Sequence, residues 1–168
     1  KEQEIPSGHN SNDYVVERIE CPSHDGRMVP ITITRHKDTI LDGSSNLLLY
    51  GYGSYGNSMS PGFSSTRLSL INRNIIWVTA HIRGGMERGM KWWKEGKLLN
   101  KKNTFEDYIA VAKFLVEKKY TSKGKIIGMG GSAGGLLMGA VVNAAPELFL
   151  GLIMAVPFVD SLTTNLDH

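Results

Sequence analysis

A single cysteine, Cys21, stands in the 168 residues. No internal disulfide can form, and that fits a reducing, cytoplasmic setting. No apolar run approaches the roughly 20 residues that a membrane-spanning helix needs. No sign of charge dominates. Lysine and arginine number 19 against 16 acids, a net charge of +3. The lysines are mixed with acids (Lys91, Lys94, Glu95, Lys97), which describes solvated faces rather than a nucleic-acid surface. The N-terminal KEQEIPSGHN has no apolar core and is not a signal peptide. There is no internal repeat and no low-complexity tract. The first residue is Lys1 rather than methionine, so the chain reads as processed or as a piece of something longer.

The apolar share of 41% and the charged share of 21% are those of an ordinary soluble domain, and the length suits one core. Residues 1–13 read as a polar linker or arm. Tyr14 to Glu20 and Met28 to Arg35 read as a β-hairpin closed by Ser23-His24-Asp25-Gly26. The second of these strands alternates apolar and polar, which predicts one buried and one wet face. Pro30 near its start predicts a place at the sheet edge.

From Asn46 onward, buried strands and helices alternate. Strands are expected at Asn46 to Tyr50, Ile75 to Thr79, Ile126 to Met129 and Leu152 to Val156. Helices are expected at Ser65 to Arg73, Glu87 to Glu95, Thr104 to Lys119 and from the 132 region to about Ala144. Thr104 is expected to cap its helix, with Asp107 three residues on. Phe105, Ile109, Ala112 and Val116 are its expected core stripe. A further helix begins at Asp160. The expectation is an α/β fold with a mostly parallel sheet, helices on both faces and an antiparallel N-terminal hairpin.

The stretch KIIGMGGSAGGLLMG, residues 125–139, carries the chemistry. A buried strand breaks into Gly130-Gly131-Ser132-Ala133-Gly134 and resumes as an apolar helix. Strand, G-x-S-x-G, helix is the setting of a nucleophile elbow. Gly130 and Gly134 give the turn room. Ser132 is lifted above the sheet, and the Ala133 N–H and the helix N-terminus face the place where a carbonyl oxygen would become an anion. A second donor normally comes from the loop after an early strand. Tyr52, between Gly51 and Gly53, is placed either for that role or as a packing aromatic.

These features sit inside longer runs: LLLYGYGSYG at 47–56, AHIRGG at 80–85, GKLLNKKNTFEDYIA at 96–110, GGSAGG at 130–135 and VPFVDSLTTNLD at 156–167. With these runs the chain resembles the front part of the catalytic α/β-hydrolase domain of the prolyl oligopeptidase family. The likeness is greatest to its oligopeptidase B (protease II) branch. The resemblance implies a partial hydrolase domain over 14–168, with Ser132 as nucleophile and the Ala133 N–H and Tyr52 hydroxyl as the oxyanion hole. It implies short peptides as substrates, cut after Lys or Arg, and no cofactor, metal, nucleic acid or membrane partner. Met86 departs from the pattern, where the family tends to carry a third glycine. A lipase or esterase with the same elbow is disfavoured by these runs.

A serine hydroxyl needs a base. In this fold the triad follows the order Ser, Asp, His. His9, His24, His36 and His81 precede Ser132, and only His168 follows it. Asp160 or Asp167 with His168 would leave no room for the helix and strand that return the histidine over the serine. The resemblance places the acid, the base and the substrate-reading acids beyond His168 and a propeller before Lys1. The alternatives are serine oligopeptidase chemistry completed by that remainder, or an inactive remnant or binding module.

Overall fold

In a computed structural model of the protein, which describes residues 8–60 and 62–166, one six-stranded sheet organises the chain. The strands are β1 (Tyr14–Pro22), β2 (Met28–His36), β3 (Leu47–Tyr50), β4 (Ile76–Ala80), β5 (Ile126–Gly131) and β6 (Phe149–Ala155). Their spatial order is β1-β2-β4-β3-β5-β6. β1 and β2 form the expected hairpin and β2 runs antiparallel to β4, while β3, β4, β5 and β6 are mutually parallel. The helices are α1 (Ser65–Ile71), α2 (Met90–Lys94), α3 (Lys102–Glu117), α4 (Ala133–Ala144) and α5 (Ser161–Leu166). The expected arm falls largely on residues 1–7, outside the described residues; Ser11–Asp13 form a 3-10 turn leading into β1.

Strand parity divides the core. Leu47 and Leu49 pair with Ile76 and Val78 and face α3 and α4 in the main cluster. Leu48 and Tyr50 point the other way with Trp77, where the Arg67 guanidinium of α1 lies 4.7 Å from the Trp77 ring centre. Helices therefore cover both faces. A glycine just past β3 and one inside β5 make room for one large side chain: a Cβ at Gly51 would strike the Tyr108 ring at 2.8 Å, and one at Gly128 would come within 3.2 Å of its hydroxyl. Tyr108 is wholly buried and donates to the Leu49 carbonyl at 2.6 Å, tying α3 to the central strand.

Four expectations are corrected. β2 is an interior strand, buried on both faces from Val29 to Ile33, because β4 lies along its other side. Pro30 is tolerated there because its missing N–H falls one residue past the β4 ladder. Its carbonyl takes the His81 N–H at 3.0 Å, and the His81 carbonyl takes Trp92 Nε1 at 3.0 Å instead. Among the described strands β6 stands last in the sheet and is not buried; Leu150 and Ile153 are 61% and 45% exposed. Thr104 does not cap α3, which starts at Lys102. Its hydroxyl is buried and donates to the Arg83 carbonyl at 2.8 Å. The inner stripe of α3 is Tyr108, Ile109, Val111, Ala112 and Leu115, with Phe105 and Val116 only partly covered.

Cys21 lies in the same cluster, and burial pushes its thiol from 9.0 up to about 12. Burial therefore leaves very little of the reactive thiolate at neutral pH. Iodoacetamide should leave Cys21 unmodified in the native protein and alkylate it once urea unfolds the chain. Comparable rates in both states would contradict this packing.

Candidate active site

β5 ends at Gly131 and α4 begins at Ala133, so the whole reversal of direction is taken up by Ser132. Its backbone stands at φ 53, ψ −115, outside the regions favoured by side-chain-bearing residues. The strain is held from both sides. The Ser132 N–H donates to the Ala155 carbonyl at 2.9 Å, and the Phe158 N–H donates to the Ser132 carbonyl at 3.0 Å. The side chain is exposed and does not cap α4.

Close backbone contact explains the neighbouring glycines. A Cβ at Gly130 would overlap the Gly134 carbonyl, and one at Gly134 would meet the Gly51 carbonyl at 2.9 Å and the Tyr52 ring at 3.4 Å. The elbow is thus packed directly on the Tyr52 loop. Gly135 and Leu136 donate to the Ser132 carbonyl at 2.8 and 3.3 Å. The Ala133 N–H, first in the helix, has no partner inside it and sits at the positive end of the dipole.

Tyr52 follows β3 in a loop with left-handed backbone at Gly53, Tyr55 and Gly56. The loop is fastened by Gly51 N–H to the Met129 carbonyl at 3.1 Å and by Gly56 N–H to the Gly84 carbonyl at 2.9 Å. Gly84, at φ 96, crosses so near Gly53 that a Cβ there would overlap the Gly53 carbonyl. Met86 rides outside this crossing with its methyl against Gly56; a Cβ at Gly56 would meet it at 2.8 Å.

The Arg83 loop rests on a buried ion pair that the motifs do not name. Asp107 Oδ2 accepts from the Arg83 N–H at 3.0 Å and from Nε at 2.9 Å; Oδ1 accepts from the second guanidinium nitrogen at 2.6 Å and from Ser23 at 2.5 Å. Asp25 takes the outer side of the guanidinium at 2.6 Å. Burial works against the Arg83 charge, but the bonds to Asp107 and Asp25 outweigh it and hold its pKa above the usual arginine value. The signal available beforehand was an acid on the inner face of a helix, at Asp107.

None of the described histidines is arranged to serve Ser132. His81 is buried under the Arg83 loop, with Nε2 2.8 Å from Thr32 Oγ1 and Nδ1 3.5 Å from Glu87. His24 lies 3.3 Å from Ser23, His36 lies 3.5 Å from Asp38, and His9 stacks on Tyr14. Asp160 is exposed and accepts the Thr163 N–H at 3.1 Å, capping α5. Asp167 and His168 lie outside the described residues. Beside Ala133 opens a cleft of about 410 Å³ lined by Tyr55, Trp93, Leu98, Lys101, Leu136 and Phe158. Trp93 lies outside the quoted runs, and Lys101, inside the run at 96–110, has no role assigned to it by the motif. Among the described residues, no group of three or more His, Cys, Asp or Glu is placed to hold a metal, and no helix is long and apolar enough to cross a membrane.

A mostly parallel sheet flanked by helices, with a strained serine between an interior strand and its helix, defines an α/β-hydrolase fold. Residues 61–168 match the prolyl oligopeptidase family, and the chain belongs to it. Dipeptidyl aminopeptidase BI of Pseudoxanthomonas mexicana is 49% identical over 99% of this chain and 23% of its own length. Protease 2 of Moraxella lacunata is 46% identical over 97% of this chain and 24% of its own. The structure of oligopeptidase B from Leishmania major superposes with a TM-score of 0.94 at 45% identity, covering 99% of this chain and 23% of that one. The likeness to the oligopeptidase B branch is thereby upheld. The chain spans about a quarter of the length of these relatives.

Proposed function

We propose that Ser132 is the nucleophile of a serine oligopeptidase. The Ala133 N–H and the Tyr52 hydroxyl receive the oxyanion, and the triad Asp and His come from chain beyond His168. The substrates are short peptides, cut after Lys or Arg in the manner of the oligopeptidase B branch, in the cytoplasm. Residues 14–168 then form the first part of a hydrolase domain, and its partner is the remainder of the same peptidase. The observation that carries this reading is Ser132 itself: an exposed hydroxyl on a residue held at φ 53 between strand and helix. A passive turn serine has no reason to keep a conformation costing about 1–3 kcal/mol.

The second reading, a remnant without activity, is favoured by the histidines. Each of the four described ones contacts a group other than Ser132: His81 meets Thr32, His24 Ser23, His36 Asp38 and His9 Tyr14. A fluorophosphonate probe separates the readings, with the labelled peptide located by mass spectrometry. Labelling at Ser132 in the full-length chain, and none in the folded 168-residue segment, is expected. No labelling of the full-length chain supports the remnant. Labelling of the segment alone would show that a base lies within it. Coumarin amides ending in Arg, Lys or Pro then test the cleavage preference.

A further inference from the structure

Tyr52 can stabilise an anion only where its loop is held, and the loop holds itself poorly. Gly53 and Gly56 give it no side-chain anchor, and both stand at positive φ. Its ends are fastened to β5 and to Gly84, as described above. The middle is fastened by one side chain from another part of the chain. Lys101 Nζ donates to the Gly53 carbonyl at 2.5 Å and to Ser54 Oγ at 2.9 Å. Its third contact is Thr104 Oγ1 at 3.3 Å.

No carboxylate pairs with this ammonium among the described residues. The groups around it are the Gly53 carbonyl, the Ser54 and Thr104 hydroxyls and the Phe105 ring, whose centre is 6.0 Å away. Tyr55 and Lys97 line the same cleft. A partly buried cation with no counter-charge is unfavourable, and the methylene stem alone would fill the space. The desolvation draws its pKa from 10.5 down to about 8. What the charge supplies is a charge-assisted grip on one carbonyl, the one that follows Tyr52.

The geometry points to Lys101 as the positioning residue of the oxyanion hole: by holding the Gly53 carbonyl and the Ser54 hydroxyl it sets where Tyr52 presents its phenol. This rests on the reading of Tyr52 and Ser132 given under Proposed function. Lys101 does not touch the reacting atoms and acts through Tyr52.

The test uses the full-length protein, with Arg- and Lys-coumarin amides as substrates. Lys101→Met is expected to lower kcat about tenfold with KM unchanged, as loss of alignment at one oxyanion donor should. Tyr52→Phe also lowers kcat, and the double variant is no slower than Tyr52→Phe alone. A second readout needs no Lys101 variant. In the unmodified enzyme kcat falls as pH rises through about 8, because the neutral amine donates more weakly. That limb is absent from Tyr52→Phe. If Tyr52→Phe slows the enzyme but Lys101→Met does not, or if their effects multiply, Lys101 has no positioning role. An alkaline limb that persists in Tyr52→Phe is equally against it. If Tyr52→Phe itself leaves kcat unchanged, the oxyanion reading of Tyr52 falls, and this inference with it.

Discussion

Replacing Ser132 by glycine is expected to abolish peptidase activity in the full-length protein and at the same time to stabilise the fold relative to Ser132→Ala. Both variants remove the hydroxyl, so both should lose on the order of 10⁶-fold in kcat, as loss of a triad nucleophile does. They differ in the backbone. At φ 53 and ψ −115 a Cβ is strained, and alanine keeps that Cβ. Glycine does not, and it recovers the roughly 1–3 kcal/mol that such a conformation costs. Against this stands the greater freedom of glycine in the unfolded chain, about 0.4–1 kcal/mol. The balance favours Ser132→Gly over Ser132→Ala by about 1 kcal/mol, a few degrees in Tm for a chain of this size. Thermal unfolding of the three proteins decides it. A glycine variant no more stable than the alanine variant would mean that the elbow is relaxed. An alanine variant with substantial activity would remove Ser132 from the chemistry altogether.

The same residue shows why part of this site could be read from the sequence. An elbow is a local device: a β-rich run, two glycines at fixed spacing and an apolar helix lie within fifteen residues, and each constrains the next. The hairpin is local in the same way, closed by a turn around Gly26 at φ 79. What the sequence hid is non-local. Pro30 looks like an edge residue until Trp92 is found serving the carbonyl that Pro30 cannot. The run Leu152 to Val156 is as apolar as a central strand, and among the described strands only β5 pairs with it, which leaves its outer side exposed. Thr104 and Asp107 matched a cap by spacing. Thr104 meets the Arg83 and Gly96 carbonyls, 21 and 8 residues away, and Asp107 pairs with Arg83, 24 residues away, so they became buried anchors instead. Lys101 is the plainest case. Beside Lys102 it reads as one of several solvated cations, and only the return of the Tyr52 loop makes it a partly buried one.

Removing the carboxylate of Asp107 should be among the most damaging single changes in the core. Arg83 and Asp107 are 1% and 0% exposed, and Asp107 receives two guanidinium bonds, the Arg83 N–H and the Ser23 hydroxyl. Asp107→Ala leaves the guanidinium in the interior with only Asp25 beside it, at the solvent edge. Breaking one partner of a buried pair costs about 3–5 kcal/mol, since the remaining charge is neither paired nor hydrated. For a chain of this length that is roughly 10 °C or more in Tm. Removing both charges is a different matter. In the double variant Arg83→Met, Asp107→Leu, no charge is stranded and apolar contacts replace the pair, so stability should recover most of the loss. The loss should also reach the site. Asp107 fixes the backbone at Arg83, Gly84 bears on Gly53, and the Gly84 carbonyl holds Gly56. Slower phosphonylation of Ser132 in Asp107→Ala, measured well below its Tm, should accompany the destabilisation and persist in the double variant, which restores stability without restoring the hydrogen bond to the Arg83 N–H. If Asp107→Ala unfolds within about 1 kcal/mol of the parent, the pair is not the anchor of this loop. If the double variant recovers the full phosphonylation rate, packing rather than the carboxylate sets the loop.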